Sequence, residues 1–326
     1  MHKELLEEFR LIEGFESYSE LTPEASVRRY YRLQYKDTGT KVLVIDPGLV
    51  DDSNSFLQTQ NLLKTNGILV PEIHRVDFER HVLVQTDLGN QDLSGIEEIG
   101  EYKELLKKSI GLILDIQKIH PIPLVGSRSF DEAKLFFEFN HTLRGIQSFS
   151  QKTGLNFQPE TNVKVFFENN VGLLSKYTNK VICHRDFHSR NIMLLPGDEL
   201  ALIDFQDMMM GTPQYDLVSI LYDAYKPIPF AMKEELVDYF LTKSNEKYIK
   251  FREYYWNQAI QRSFKALGTY LVMYSEKGME KYFSSIQPCL ENLIEIIQVA
   301  KFPDSLYLYV DDFLSKLKSM KPKSQN

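Results

Sequence analysis

The sequence predicts an α+β protein in two lobes, a small β-rich one over residues 1–88 and a larger, mainly helical one over 89–326. Three observations predict it. Between Ser26 and Thr86, short apolar runs with turn signals flank one stretch of helical periodicity, in the order strand, strand, helix, strand, strand. After Asp87-Leu88-Gly89 the apolar residues recur mainly at helical spacing. Within that helical half, two short β segments lie on either side of a polar loop, His184 to Asn191.

Each element has its own signal. Residues 1–15, MHKELLEEFRLIEGF, read as a short charged helix. SVRRYYRLQY and KVLVID read as two strands joined by a turn at Lys36-Asp37-Thr38-Gly39. Residues 53–66 carry Phe56, Leu62 and Leu63 at helical positions and stop at Gly67. Strands follow at Ile73–Phe78 and His81–Thr86. A helix over 99–119 presents Leu105, Leu106, Ile110, Ile113, Leu114, Ile116 and Ile119 and ends at His120-Pro121. Further helices are expected at 131–149 and 161–177, β segments at Val181–His184 and Leu200–Phe205, and helices again to about residue 318. The end, KLKSMKPKSQN, with its four lysines, reads as a solvated tail.

The bulk numbers exclude several classes. The 326 residues are 43% hydrophobic and 25% charged, ordinary for a globular protein with a sizeable core. A net charge of −7 argues against a nucleic-acid binder. Two cysteines, Cys183 and Cys289, give neither a disulfide framework nor a zinc motif. The N-terminus lacks the apolar core of a signal peptide, and no run approaches the length of a membrane span. A cytoplasmic enzyme, with no membrane and no obligate protein partner, is the expectation.

The chemistry concentrates in VICHRDFHSRNIMLLPGDELALIDFQD. It contains His184-x-Asp186, then Asn191 five positions on, then Asp204 thirteen further. Phosphoryl transfer needs a carboxylate beside the attacking hydroxyl and oxygen ligands for a magnesium ion bridging the phosphates. A loop can present Asp186 to the acceptor while Asn191 turns back toward the metal, and a β-hairpin can return the chain so that Asp204 reaches it too. The apolar strands VIC and LALI are expected to hold the loop rigid. A zinc site from His184, Asp186 and His188 on alternating residues would leave Asn191 and Asp204 without a role.

This stretch resembles the catalytic loop and metal-binding aspartate shared by protein kinases and aminoglycoside phosphotransferases. The resemblance implies a bilobal protein-kinase-like fold, ATP and Mg2+ as cofactors, Asp186 as base, and Asn191 and Asp204 as magnesium ligands. His184 and Arg185 then support the loop. Asp216 follows Asp204 by only twelve positions, at a helix start, which leaves no room for a protein kinase's activation segment. A small-molecule acceptor is therefore expected. TPEASVRRYYRL, Gly67-Ile-Leu-Val-Pro71, HRDFHSRNIMLL, IDFQD, YDLVSILYD and AIQRSFKALGTY, spread over Leu21 to Ile297, are similar to the anomeric kinases of bacterial cell-wall recycling. Those enzymes put phosphate on carbon 1 of N-acetylmuramate and N-acetylglucosamine. Other metabolite kinases (aminoglycoside, choline or homoserine type) and a nucleotide-binding pseudokinase are the alternatives.

One departure stands out. Kinases carry a phosphate-binding lysine on the third N-lobe strand, paired to a glutamate on the next helix. KVLVIDPG has no lysine in the strand core, and the glutamate position falls near Phe56. Arg28, Arg29 or Arg32 can replace it; alternation puts Arg28 and Arg32 on one face and Arg29 on the other. The nucleotide base is expected at Gln85-Thr86-Asp87-Leu88, where an apolar strand ends. Asp216 is read as a brace for the loop. Arg190, Asp207, Gln261, Arg262 and Lys265 are substrate candidates, with Arg262 and Lys265, three apart on one helix, placed either for a sugar carboxylate or for surface ion pairs.

Overall fold

The computed structural model describes residues 2–21, 27–244 and 251–320. Ser26 at the head of the first predicted strand and the last six residues of the lysine-bearing tail lie outside the described residues. The chain divides into two compact units, residues 1–91 with 193–206, and residues 92–192 with 207–326. The break at 91/92 falls three residues after the expected 88/89, and the segment 193–206 joins the first unit.

The first unit begins with α1 (His2–Glu13) and continues through β1 (Ser17–Glu20), β2 (Arg29–Tyr35), β3 (Gly39–Ile45), α2 (Ser55–Thr65), β4 (Ile73–Asp77) and β5 (Val82–Thr86). The strands form one antiparallel sheet in the order β1-β2-β3-β5-β4. β1 adds a fifth strand to the expected four. Its sequence, SYSE, is short and polar, as suits an edge, and so carries no apolar alternation. The period-2 pleat sends Tyr31, Leu33, Tyr35, Leu43, Ile45, Val82 and Val84 to one face, where Leu6 and Phe9 of α1 complete a core. Arg28, Tyr30, Arg32, Val42, Val44, Asp46, Leu83 and Gln85 take the opposite phase. α2 starts at Asn54, whose Oδ1 accepts from the backbone N–H of Phe56 and Leu57, and it stops before Gly67, whose φ of +78° suits glycine.

The second unit holds α3 (Ile99–Lys118), α4 (Pro123–Gly126), α5 (Glu132–Thr153), α6 (Thr161–Ser175) and β6 (Val181–Cys183). The chain then makes a hairpin of β7 (Ile192–Leu195) and β8 (Glu199–Leu202), most of which belongs to the first unit: Leu194 N–H donates to the Gln91 carbonyl and Leu202 N–H to that of Leu69, each at 2.9 Å. It returns through β9 (Met209–Gly211), α7 (Tyr215–Leu221), α8 (Phe230–Lys243), α9 (Phe251–Ser275), α10 (Phe283–Ala300) and α11 (Asp304–Ser319).

VIC and LALI belong to different strand pairs. VIC, as β6, pairs with β9, with Cys183 opposite Met209, whereas LALI lies largely in β8 and pairs with IMLL, β7. β9 is three residues long, too short for a period to show.

α5 and α9 pack at backbone distance. A Cβ on Gly268 would lie 2.5 Å from Thr142 Cα, and one on Gly145 would lie 2.7 Å from the Gly268 carbonyl oxygen. Thr142 Oγ1 donates across the contact to the Phe264 carbonyl at 3.1 Å. This contact sets where α9 presents Gln261, Arg262 and Lys265. Tyr255, Phe264 and Tyr270 of α9 are buried in the core.

Candidate active site

The loop after β6 is held from below by two aspartates. Asp216, in the first turn of α7, accepts the backbone N–H of His184 at 2.7 Å and of Arg185 at 3.0 Å. Burial pushes its carboxyl up, against the opposing pull of His184 and these two N–H groups. Asp223 accepts the Ser189 N–H at 2.8 Å, its hydroxyl at 2.5 Å, and the Tyr225 N–H at 2.8 Å. Arg185 adopts φ +80°, a left-handed conformation that costs a non-glycine residue on the order of 1–2 kcal/mol. The Asp216 bonds on either side of its peptide hold it there.

What this frame presents is Asp186. Its Oδ1 lies 3.1 Å from Lys265 Nζ and 3.6 Å from Arg262 Nη2, both from α9, and its side chain keeps 31% exposure. Burial pushes the carboxyl up, but Lys265, Arg262, Arg185 and His188 outweigh it and hold Asp186 well below the usual carboxylate range. Burial pulls the Lys265 ammonium down, with Asp186 opposing. The cluster extends to Glu138 of α5: Arg185 Nη2 lies 3.7 Å from its Oε1, and Gln261 Nε2 donates to its Oε2 at 2.9 Å.

Asn191 closes the loop. Its Nδ2 donates to the Asp186 carbonyl at 2.9 Å, which fixes the amide and leaves its oxygen as the end that can ligate a hard cation. In the first unit, Asp204 follows β8 with φ +62°, is exposed, and accepts from Gln206 Nε2 at 2.8 Å. Phe205 beside it is buried and stacks on Phe56 of α2 at 5.0 Å between ring centroids. Both ligand candidates offer oxygen. Among the described residues no group of three or more His, Cys, Asp and Glu is placed to hold a metal. A side-chain oxygen of this kind suits a hard cation such as magnesium better than zinc.

The other expected residues are dispersed. At the end of β5, Gln85 is buried and its Oε1 has no hydrogen-bond partner among the described residues. Arg32 is fully engaged: Nε and Nη2 reach both oxygens of Asp87 at 2.5 and 2.9 Å, Nη1 reaches Asn90 Oδ1 at 2.7 Å, and Nη2 also reaches the Gly89 carbonyl at 3.0 Å. Arg29 turns to the exposed Glu20 at 3.5 Å. Arg28 Nε meets Asp46 Oδ2 at 2.8 Å. In the second unit, the Arg190 guanidinium lies over the Tyr225 ring at 3.9 Å, and Asp207 is exposed, its carbonyl accepting from Arg185 Nη1 at 3.3 Å.

Arg262 and Lys265 are neither a surface pair nor separate from the loop; both are directed at Asp186. Sequence reading missed Glu138 and Asp46. Glu138 carries no local signal, being one more glutamate in a helix. Asp46 was legible from the pleat, since it continues the phase of Val42 and Val44.

No described helix is long and apolar enough to cross a membrane. An N-acetylmuramate/N-acetylglucosamine kinase of Neisseria meningitidis serogroup B is 27% identical over 284 residues, which cover 83% of this chain and 82% of that one. Among solved structures, choline kinase LicA from Streptococcus pneumoniae matches with a TM-score of 0.62 at 17% identity, over 90% of this chain and 99% of that one. Spectinomycin phosphotransferase APH(9)-Ia, solved with ADP and spectinomycin, matches with a TM-score of 0.60 at 14% identity, over 97% and 98%. The family model for the phosphotransferase enzyme family matches residues 17–254, the greater part of the sequence and all of the loop just described, and the chain belongs to that family.

Proposed function

We propose that the protein transfers the γ-phosphate of ATP, with magnesium, to the anomeric hydroxyl of an N-acetylated amino sugar: N-acetylmuramate, N-acetylglucosamine or both. The observation that carries this reading is the environment of Asp186, a carboxylate on a braced loop with Lys265, Arg262 and Arg185 around it. Asp186 accepts the hydroxyl proton as the new bond to phosphorus forms. Because its neighbours keep it ionised, it is a weak base, which suits an anomeric hydroxyl better than a less acidic ordinary alcohol.

The charge around the base also bears on the acceptor. The charges next to the Asp186 carboxylate are cationic, Lys265 at 3.1 Å and Arg262 at 3.6 Å, while Asp216 and Asp223 are turned to backbone N–H groups of the loop. A cationic choline or a polycationic aminoglycoside would meet like charge there. A neutral sugar would not, and the lactyl carboxylate of N-acetylmuramate would find a cation in Lys265 or Arg262. The name of the Neisseria relative agrees with that choice.

Asn191 and Asp204 are the residues we assign to magnesium, which when bound neutralises charge developing on the transferring phosphate. Gln85, with its unpartnered buried acceptor, and the chain as far as Asp87 are assigned to the adenine. Arg32 braces that segment through Asp87. A reaction that consumes ATP belongs in the cytoplasm. The test is incubation with magnesium, ATP and, separately, N-acetylglucosamine, N-acetylmuramate, kanamycin, choline and homoserine. Phosphate should appear on carbon 1 of at least one sugar. Product on kanamycin, choline or homoserine alone would refute the sugar assignment.

A further inference from the structure

The missing strand lysine leaves a question about the polyphosphate. The sheet of the first unit has two faces, and the one away from α1 carries Arg28, Tyr30, Val42, Val44, Asp46 and Gln85. Asp46 follows β3 directly, in the phase of Val42 and Val44, and its N–H donates to the His81 carbonyl at 2.9 Å, so the ladder continues through it. In the kinase pattern the strand's cation belongs at this end of this strand. Here the position holds a carboxylate. Arg29 is in register with Ile45, so Arg28 falls opposite Asp46, and its Nε bonds Asp46 Oδ2 at 2.8 Å. The polarity of the usual pair is inverted: the carboxylate sits on the strand and the cation comes from the neighbouring strand.

We propose that Arg28 binds the α- and β-phosphates of the nucleotide in place of the absent lysine, and that Asp46 positions it, as the helix glutamate does elsewhere. The assignment rests on the nucleotide reading above.

Three features distinguish Arg28 from the other arginines. Asp46 is anchored independently, accepting from Gly48 N–H at 2.9 Å and from Asn54 Nδ2 at 3.5 Å, so it is a fixed post. The Arg28 guanidinium lies 5.5 Å from the Phe56 ring centre, and Phe56, at the helix position of the lost glutamate, stacks on Phe205 next to Asp204. Tyr30 hydrogen-bonds Arg28 and interacts electrostatically with Asp204. Arg28 therefore stands in the neighbourhood of the aspartate assigned to magnesium, whereas Arg32 is consumed by Asp87, Asn90 and Gly89, and Arg29 faces Glu20. A planar guanidinium with five N–H donors suits a diphosphate at least as well as an ammonium does.

Calorimetric titration with ADP and with adenosine tests this without turnover. In Arg28→Met, ADP binding should weaken by roughly 10- to 100-fold, the size of lost charged hydrogen bonds, while adenosine binding is unchanged. Arg28→Lys should recover part of the ADP affinity. Arg28→Met leaves Asp46 alone and buried, so the double variant Arg28→Met/Asp46→Leu serves where the single one unfolds, and the same selective loss is expected. Unchanged ADP binding in these variants, or an equal loss for ADP and adenosine, overturns the role of Arg28 and leaves the kinase reading intact. A wild-type protein that binds neither ligand overturns the kinase reading itself, and this assignment with it.

Discussion

The carboxylates of the two units are neutralised in opposite ways. In the first unit two carboxylates have an arginine each: Asp46 has Arg28 at 2.8 Å, and Asp87 has Arg32 at 2.5 and 2.9 Å. Backbone N–H groups of Gly48 and Gly89 complete them. In the second unit Asp186 faces Lys265 and Arg262 through one oxygen, Arg185 adjoins it, and Glu138, Asp207 and Asp216 also act on these arginines. A matched pair ties two side chains into one geometry. Cations that share their counter-ions inside a protein cost desolvation. The first unit ties two carboxylates one against one, and the second gathers several cations around Asp186.

Replacing Asp186, the proposed base, or Asp204, a proposed metal ligand, gives the largest expected effects. Asp186→Asn should lower turnover by roughly 10²- to 10⁴-fold, the usual worth of a positioned base, with ADP binding retained. Steady-state rates on the responsive sugar measure it, and a variant within a few-fold of wild type would remove Asp186 from the mechanism. Asp204→Ala should abolish magnesium-supported turnover, and Asn191→Ala should weaken it less. Magnesium titrations unchanged in Asp204→Ala would show that the metal is held elsewhere.

The sequence exposed one half of this comparison better than the other. HRDFHSRN is a local string of residues a few positions apart, so Asp186 and Asn191 stand out from spacing as candidates; Asp216, 32 positions from the His184 it braces, was expected as a brace from its place at a helix start. Lys265 reaches Asp186 across 79 positions, and nothing in AIQRSFKALG says whether its cations meet a ligand, a carboxylate or water. Glu138 was invisible for the same reason. The helices and most strands were legible because their faces are buried against a core, which imposes a period. β1 and β9 were not, because a polar edge and a three-residue pair impose none. Asp46 failed differently. Its place on β3 is where the kinase pattern has a lysine, and a carboxylate there, paired to Arg28, inverts that charge pattern.

The next effect acts on the helix that delivers the surplus charge. Gly268 of α9 lies against Thr142 so closely that a methyl group there would stand 2.5 Å from its Cα. Backbone cannot yield as a side-chain tip does. Gly268→Ala should destabilise the protein by about 1–3 kcal/mol, the range for overpacking, measured as a lower urea midpoint. The relaxation that relieves the clash should also carry Lys265 away from Asp186 and raise the KM for sugar more than that for ATP. An unchanged midpoint would mean that α9 is free to shift, and the placement of its cations would lose its structural basis.

The smallest effect bears most directly on the contrast between matched and surplus charge. Lys265, Arg262, Arg185 and His188 outweigh burial and hold the Asp186 carboxyl well below its ordinary range. The base must be ionised to take a proton, so the acid limb of kcat/KM for the free enzyme should lie below the usual carboxylate pKa of about 3.9 as far as this group determines it. Lys265→Met removes the largest of the opposing charges. The carboxyl then rises toward its ordinary value and the acid limb moves to higher pH, while near pH 7 Asp186 stays ionised. Lys265→Arg, which keeps the charge, should leave the limb near its original place. The same sign holds for stability. A depressed folded-state pKa contributes stability that is present above about pH 4, the unfolded value, and is lost as pH falls through the folded one; Lys265→Met shrinks that contribution. Asp87→Asn in the first unit serves as the contrast: it unmakes a matched pair outside the Asp186 cluster's own unit, so it should cost stability on the order of 1 kcal/mol without moving the limb. A limb that stays fixed in Lys265→Met, or moves equally in Asp87→Asn, would show that the charge around Asp186 is structural after all and that the two units use their ion pairs alike.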